Sequence, residues 1–352
     1  MRGDSIRVVV ADDSPFIRRL VASYLTSEAG FSVVGEAGNG IEAVNAVGRL
    51  EPDVLTLDLE MPEMDGLEAL RAIMQTRPTP VVAISGVSGR AATRTLQALD
   101  VGAVDFVLKF TPGVELDPES LAREIVEKTR LAAGVHVVRL LDGVREAAGK
   151  KRAAAVPKGL LPGIVVIGAS TGGPLALREL LAELPDDFAA PVVVIQHIPA
   201  FFTSVLAAQL NRYCRLPVRE AEDGEVLAPG AVYVAPGGYH LLLQTGLRVS
   251  LQKGVGVPGE HCPSIDVAME SAARLLGARI AGVLLTGMGS DGAQGLLTIR
   301  RLGGRTFAQN EESCAVFGMP KRAIELGAAM NVEGPAAIGA ALAGAYVGGV
   351  HA

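Results

Sequence analysis

Short apolar runs alternate with amphipathic stretches along the first part of the chain. Ile6–Ala11, Phe31–Glu36, Asp53–Pro62, Val81–Ile84 and Val104–Leu108 are rich in β-branched residues and bounded by turn residues, which predicts five strands. Pro15–Ser27, Gly40–Arg49, Leu67–Gln75, Ala91–Asp100 and Pro118–Arg130 carry apolar residues at helical spacing. Strand and helix therefore alternate five times, the pattern of a doubly wound parallel α/β sheet. The pattern breaks over 129–160, where Ala, Gly, Lys and Arg dominate and Gly149–Pro157 reads as a flexible basic linker after a helical continuation. It resumes with the buried strands Ile164–Ile167, Pro191–Ile195 and Ile280–Leu285 and with helices over Leu175–Leu184 and Gln294–Arg301. The expected organisation is thus a domain over 1–128, a linker over 129–160 and a second α/β domain over 161–352.

Composition narrows the function. The chain of 352 residues is 49% hydrophobic but only 4% aromatic, so its cores must be aliphatic and alanine-rich. A net charge of −6, with 13 Lys and Arg against 16 Asp and Glu in 161–352, argues against nucleic acid and against an anionic membrane surface. Cys214, Cys262 and Cys314 lie far apart and read as reduced thiols of a cytoplasmic protein. No apolar run approaches the roughly 18 residues of a membrane span, and the N-terminus lacks the apolar core of a signal peptide.

In the first domain Asp12, Asp13, Asp58, Ser85 and Lys109 each fall at the carboxyl end of a predicted strand. In a parallel sheet those ends share one edge. Three carboxylates would repel there unless a hard cation such as Mg²⁺ sat among Asp12, Asp13 and Asp58. Such a cation would neutralise an incoming phosphoryl group and leave Asp58 as nucleophile, with Lys109 and the Ser85 hydroxyl on phosphoryl oxygens. Each residue alone is an ordinary turn-former; the five in this order are not.

In the second domain Ser170 follows a strand within Gly168-Ala-Ser-Thr-Gly172, a G-x-S-x-G pattern in which the glycines free a tight turn and Pro174 opens a helix. His197 follows the next strand, and Asp291 sits in the glycine-rich turn Thr286–Ala293. A Ser, a His and an Asp at strand ends supply the nucleophile, base and orienter of acyl transfer, with backbone N–H groups of Thr171 and Met288 as oxyanion donors. The order Ser, His, Asp differs from that of an ordinary α/β-hydrolase. Gly168-x4-Gly173 is not a dinucleotide fingerprint. His136, His240, His261 and His351 read as satisfied polar residues, and His261-Cys262 lacks the second ligand pair a zinc site needs.

The first domain resembles a response-regulator receiver, on Asp12-Asp13, Asp58 with Met61-Pro62 and Asp65-Gly66, Ser85, and Asp105-Phe106 before Lys109. Phe110 departs from the proline usual after that lysine. The second domain resembles the catalytic domain of the CheB protein-glutamate methylesterases, on Ile167–Pro174, Gln196-His197, Leu285–Ala293, Pro263–Asp266, Ala308-Gln309 and Val316–Pro320. The resemblance implies a flavodoxin-like receiver and a Rossmann-like methylesterase domain. It implies a hydrolase of glutamate γ-methyl esters, and of some glutamine amides, on methyl-accepting chemotaxis receptors. A chemotaxis histidine kinase would phosphorylate Asp58 with Mg²⁺ and thereby control Ser170, and hydrolysis would need no cofactor. Competing readings are a DNA-binding regulator, a non-catalytic phospho-switch adaptor, and a receiver-controlled hydrolase of another signalling array.

Overall fold

A computed structural model describes residues 5–86, 88–109, 118–135, 137, 163–254 and 261–346. Phe110, His136, His351 and most of the basic joining segment lie outside the described residues. The chain divides into two compact units, Met1–Leu141 and Asp142–Ala352.

The first unit alternates β1 (Ile6–Ala11), α1 (Pro15–Ser27), β2 (Phe31–Ala37), α2 (Gly40–Leu50), β3 (Val54–Asp58), α3 (Gly66–Thr76), β4 (Val81–Ser85), α4 (Gly89–Val101), β5 (Asp105–Leu108) and α5 (Pro118–Ala133). The strands pair in parallel in the order β2-β1-β3-β4-β5. Strands β3, β4 and β5 are buried throughout, as a sheet covered on both faces requires. Helix starts follow the side chains that cap them: Ser14 accepts from the Ile17 N–H, and Asp65 and Glu68 form a reciprocal capping box at α3. Gly66 is required by space, since a Cβ there would lie 2.0 Å from the Asp58 carbonyl oxygen. The strand order reverses direction between β1 and β3, the switch point at which open α/β sheets leave a crevice. Asp12, Asp13 and Asp58 end those two strands.

The second unit begins with β6 (Ile164–Ala169), α6 (Gly173–Ala182), β7 (Val192–Gln196), α7 (Ala200–Leu210), β8 (Val218–Glu220) and β9 (Val232–Val234). The hairpin β10 (Tyr239–Gln244) and β11 (Arg248–Lys253) follows, then α8 (Ile265–Leu276), β12 (Ile280–Leu284), α9 (Ala293–Arg301), β13 (Arg305–Gln309), α10 (Met319–Glu325), β14 (Asn331–Glu333) and α11 (Pro335–Tyr346). Seven strands form one parallel sheet, β14-β13-β12-β6-β7-β9-β8. Leu241, Leu243 and Val249 of the hairpin join Ala268, Met269 and Ala272 of α8 in the core. Strand β6 lies between β7 and β12, so its carboxyl end is this sheet's switch point.

The fold corrects one reading of a residue. Gly168 lies inside β6 and makes no turn. A Cβ there would approach Ile265 Cγ2 to 2.4 Å, so the glycine admits α8 against the strand. Gly172, at φ +76°, is the residue that turns the chain into α6.

Candidate active site

Register brings Ser170 and His197 together. Ala169 pairs with Gln196 across the parallel β6–β7 ladder, so the next residues, Ser170 and His197, leave adjacent strands at the same level. Three hydrogen bonds lock this arrangement. The His197 N–H donates to the Ala169 carbonyl at 3.0 Å. The buried Gln196 amide donates to the Ser170 carbonyl at 2.9 Å and to the His197 carbonyl at 3.1 Å. On the other side of β6, the Ser170 N–H donates to the Thr286 carbonyl, which draws the loop after β12 against the serine. Gly287 sits so close that a Cβ there would fall 2.5 Å from Ser170 Cβ.

Asp291 enters from that loop. Its Oδ2 lies 2.8 Å from His197 Nε2. The same carboxylate sits on the N-terminus of α8, where the Ser264 hydroxyl donates at 3.0 Å and the N–H groups of Ile265 and Asp266 donate at 2.8 and 2.9 Å. Free helix-terminal N–H groups and the positive end of the helix dipole both favour a carboxylate at this place. Burial alone would push the Asp291 pKa up; the His197 bond and these donors outweigh it and hold the group at about 2. The neighbouring Asp266, half-buried and accepting from the Gly295 N–H, is instead pushed up to about 6, first by its removal from water.

The proton arrangement follows from acceptors. An ionised Asp291 can only accept, so His197 carries its proton on Nε2 and its lone pair on Nδ1. His197 Nδ1 is buried, and among the described residues it has no hydrogen-bond partner. The histidine–aspartate half is therefore formed, while the Ser170 hydroxyl makes no bond to the imidazole. Such links often close only when substrate binds. The Met288 N–H, one residue after Gly287, likewise has no acceptor among the described residues.

Two supports escaped the sequence reading. Ser264, a helix cap, anchors Asp291 and also accepts from the Val267 N–H. Its own N–H donates to His240 Nδ1 at 3.2 Å, so His240 is a satisfied residue, as read. His261 is not merely that: its ring stacks on His197, with centroids 3.9 Å apart and planes 15° apart. A small polar residue just before an apolar-periodic helix was the legible signal for Ser264; nothing in the sequence places His261.

In the receiver unit, oxygen atoms of Asp12, Asp13 and Asp58 come within 4.8 Å of one another, with Asp12 and Asp58 buried and Asp13 exposed. Register places the rest: Asp58 pairs with Ile84 and Ser85 with Leu108, so Ser85 and Lys109 share the edge with Asp58. Lys109 Nζ lies 2.7 Å from Asp58 Oδ2 and 2.9 Å from Asp12 Oδ2. Burial pushes the Asp58 pKa up against the pull of Lys109. Burial works against the Lys109 charge as well, but its two carboxylate partners raise its pKa overall. The Ser85 hydroxyl is engaged by Thr95 Oγ1 at 2.5 Å. An all-oxygen set with two buried carboxylates and one exposed suits a hard divalent ion.

A flavodoxin-like unit with this acid–lysine cluster, joined to a second parallel-sheet unit with a Ser, a His and an Asp at its switch point, defines a response regulator with an α/β output domain. Residues 8–118 match the family described as response regulator receiver domain, and 165–342 match CheB methylesterase. A protein of Archaeoglobus fulgidus named protein-glutamate methylesterase/protein-glutamine glutaminase is 46% identical over 336 residues, covering 93% of this chain and 94% of that protein. One of the same name from Halalkalibacterium halodurans is 43% identical, covering 91% and 92%. The crystal structure of the Thermotoga maritima CheB methylesterase catalytic domain is similar with TM-score 0.50 and 42% identity, over 52% of this chain and 98% of that one. The chain belongs to the CheB methylesterase family. Among the described residues no helix is long and apolar enough to cross a membrane.

Proposed function

We propose that this chain is a phosphorylation-controlled protein-glutamate methylesterase and protein-glutamine glutaminase of the chemotaxis machinery. Its substrates would be methylated glutamates, and some glutamines, on the cytoplasmic helices of methyl-accepting receptors. The observation that carries the reading is the His197–Asp291 pair at 2.8 Å, set by strand register beside Ser170 in a chain of this family.

In the proposed reaction Ser170 Oγ attacks the ester carbonyl and its proton passes to His197 Nδ1. Asp291 accepts from Nε2 throughout and stabilises the imidazolium. The N–H groups of Met288 and Thr171 receive the oxyanion. His197 returns the proton to the leaving oxygen, methanol departs, and water, deprotonated by the same imidazole, clears the acyl group from Ser170. With an amide substrate the leaving group is ammonia. These steps need no cofactor.

In the receiver, over 1–128 and joined by the segment 129–160 to the hydrolase over 161–352, Asp58 would accept the phosphoryl group of a histidine kinase. Asp12, Asp13 and Asp58 would hold Mg²⁺, which supplies charge neutralisation for that group. Lys109 and Ser85 would contact the phosphoryl oxygens. The test is mass spectrometry of methyl-esterified receptor helices before and after incubation with the full chain. Loss of methyl groups at glutamates is expected; an unchanged ester count overturns the reading.

A further inference from the structure

His261 packs on the imidazole of the proposed base, and the reaction above leaves it unused. Its ring lies over the His197 imidazole at 3.9 Å between centroids, nearly parallel at 15°. Partial shielding from water, followed by the neighbouring His197, lowers the His261 pKa, with Asp291 opposing.

The His197 ring needs such a partner. Among the described residues its side chain makes one hydrogen bond, from Nε2 to Asp291, which fixes one corner of the ring and leaves rotation of its plane open. Nδ1 has no partner among the described residues to stop the rotation. A flat ring against one face does stop it. The same short segment, 261–266, also provides the three donors that hold Asp291. One stretch of chain thus grips both members of the pair. When Nδ1 takes up a proton, the imidazolium lies against the π-face of an aromatic ring, an arrangement that favours the cation.

We propose that His261 is a positioning residue for His197: its ring is the platform that fixes the plane of the imidazole and faces the imidazolium formed during acyl transfer. This rests on the methylesterase reading above. The requirement is for a flat aromatic ring, not for a titratable one.

The test compares the full chain with His261→Ala and His261→Phe, in steady-state hydrolysis of a methyl-esterified receptor helix and in ¹⁵N NMR of the histidine rings. His261→Ala is expected to lower kcat about tenfold with KM little changed. His261→Phe is expected to restore most of kcat. In the NMR, His197 is expected to show a single Nε2–H tautomer in the unmodified chain and in His261→Phe, and tautomer exchange in His261→Ala. Wild-type kcat in the alanine variant overturns the proposal. So does a phenylalanine variant as slow as the alanine one, or a loss confined to KM. If the unmodified chain cleaves no ester, the methylesterase reading fails, and the NMR comparison still decides the role of the ring; a His197 signal identical in all three proteins rejects it.

Discussion

Asp291 accepts four hydrogen bonds, one from His197 and three from the start of α8. Its pKa of about 2 lies below the ordinary 3.8, so it stays ionised wherever the protein is folded near neutrality. The sign follows from linkage: a carboxylate lowered in the folded state contributes stability above its unfolded pKa and loses it as pH falls through the folded value. That contribution, about 2 kcal/mol, is expected to be full above pH 5 and to fade between roughly pH 4 and 2. Asp291 should therefore contribute no ionisation to the acid limb of kcat/KM above pH 4. A pH–rate profile for the full chain, compared with Asp291→Asn, checks this, and an acid ionisation belonging to Asp291 above pH 4 would contradict it. Ser170→Ala should lower kcat by roughly 10⁴-fold or more. Ser264→Ala removes both a helix cap and an Asp291 donor. It should cost about 1 kcal/mol in a denaturant titration and slow hydrolysis roughly tenfold.

Among elements, the parallel strands do most of the positioning, and they were the most legible part of the chain. Runs such as Val8–Ala11 and Ile164–Ile167 are uniformly buried, so their apolar composition announced them. Ser170, His197 and Asp58 could be placed because each ends such a run. The hairpin β10–β11 was missed although Leu241 and Leu243 alternate with less buried residues, because its turn, Thr245–Leu247, lacks a two-residue glycine signal. Strands β8, β9 and β14 have three residues each, too few to show a period. Contacts at long range were illegible for a different reason: the stack of His261 on His197 depends on how loops from distant strands converge, which no local pattern records. Glycines are the clearest case. Gly168 read as a turn residue, but its strand runs on, and only α8 at its back explains it. Gly168→Ala would push a Cβ to 2.4 Å from Ile265 Cγ2, and about 1–3 kcal/mol of destabilisation is expected by thermal or denaturant unfolding. Gly287→Ala would strike Ser170 Cβ and Met319 Sδ, and displacement of the serine should reduce kcat roughly 10²-fold.

At the scale of the whole molecule, two α/β units of the same winding class are proposed to carry two different chemistries at the same kind of place, the switch point of a parallel sheet. Phosphorylation of Asp58 is proposed to raise hydrolysis at Ser170. Adding Mg²⁺ and beryllofluoride, a phosphoryl mimic, to the full chain is expected to increase the esterase rate, and the increase should vanish in Asp58→Asn. Equal rates with and without the mimic would leave the receiver without an effect on this reaction.

Everything proposed for the second unit depends on Ser170 being a nucleophile activated by His197. The most direct measurement is peptide mass spectrometry of the full chain after exposure to a serine-reactive phosphonate, with and without a methyl-esterified receptor helix as competitor. The expected result is one adduct, on Ser170, slowed by the competitor and lost in His197→Gln. An adduct elsewhere, or ester hydrolysis that continues while Ser170 stays unlabelled or is replaced by alanine, would contradict the account.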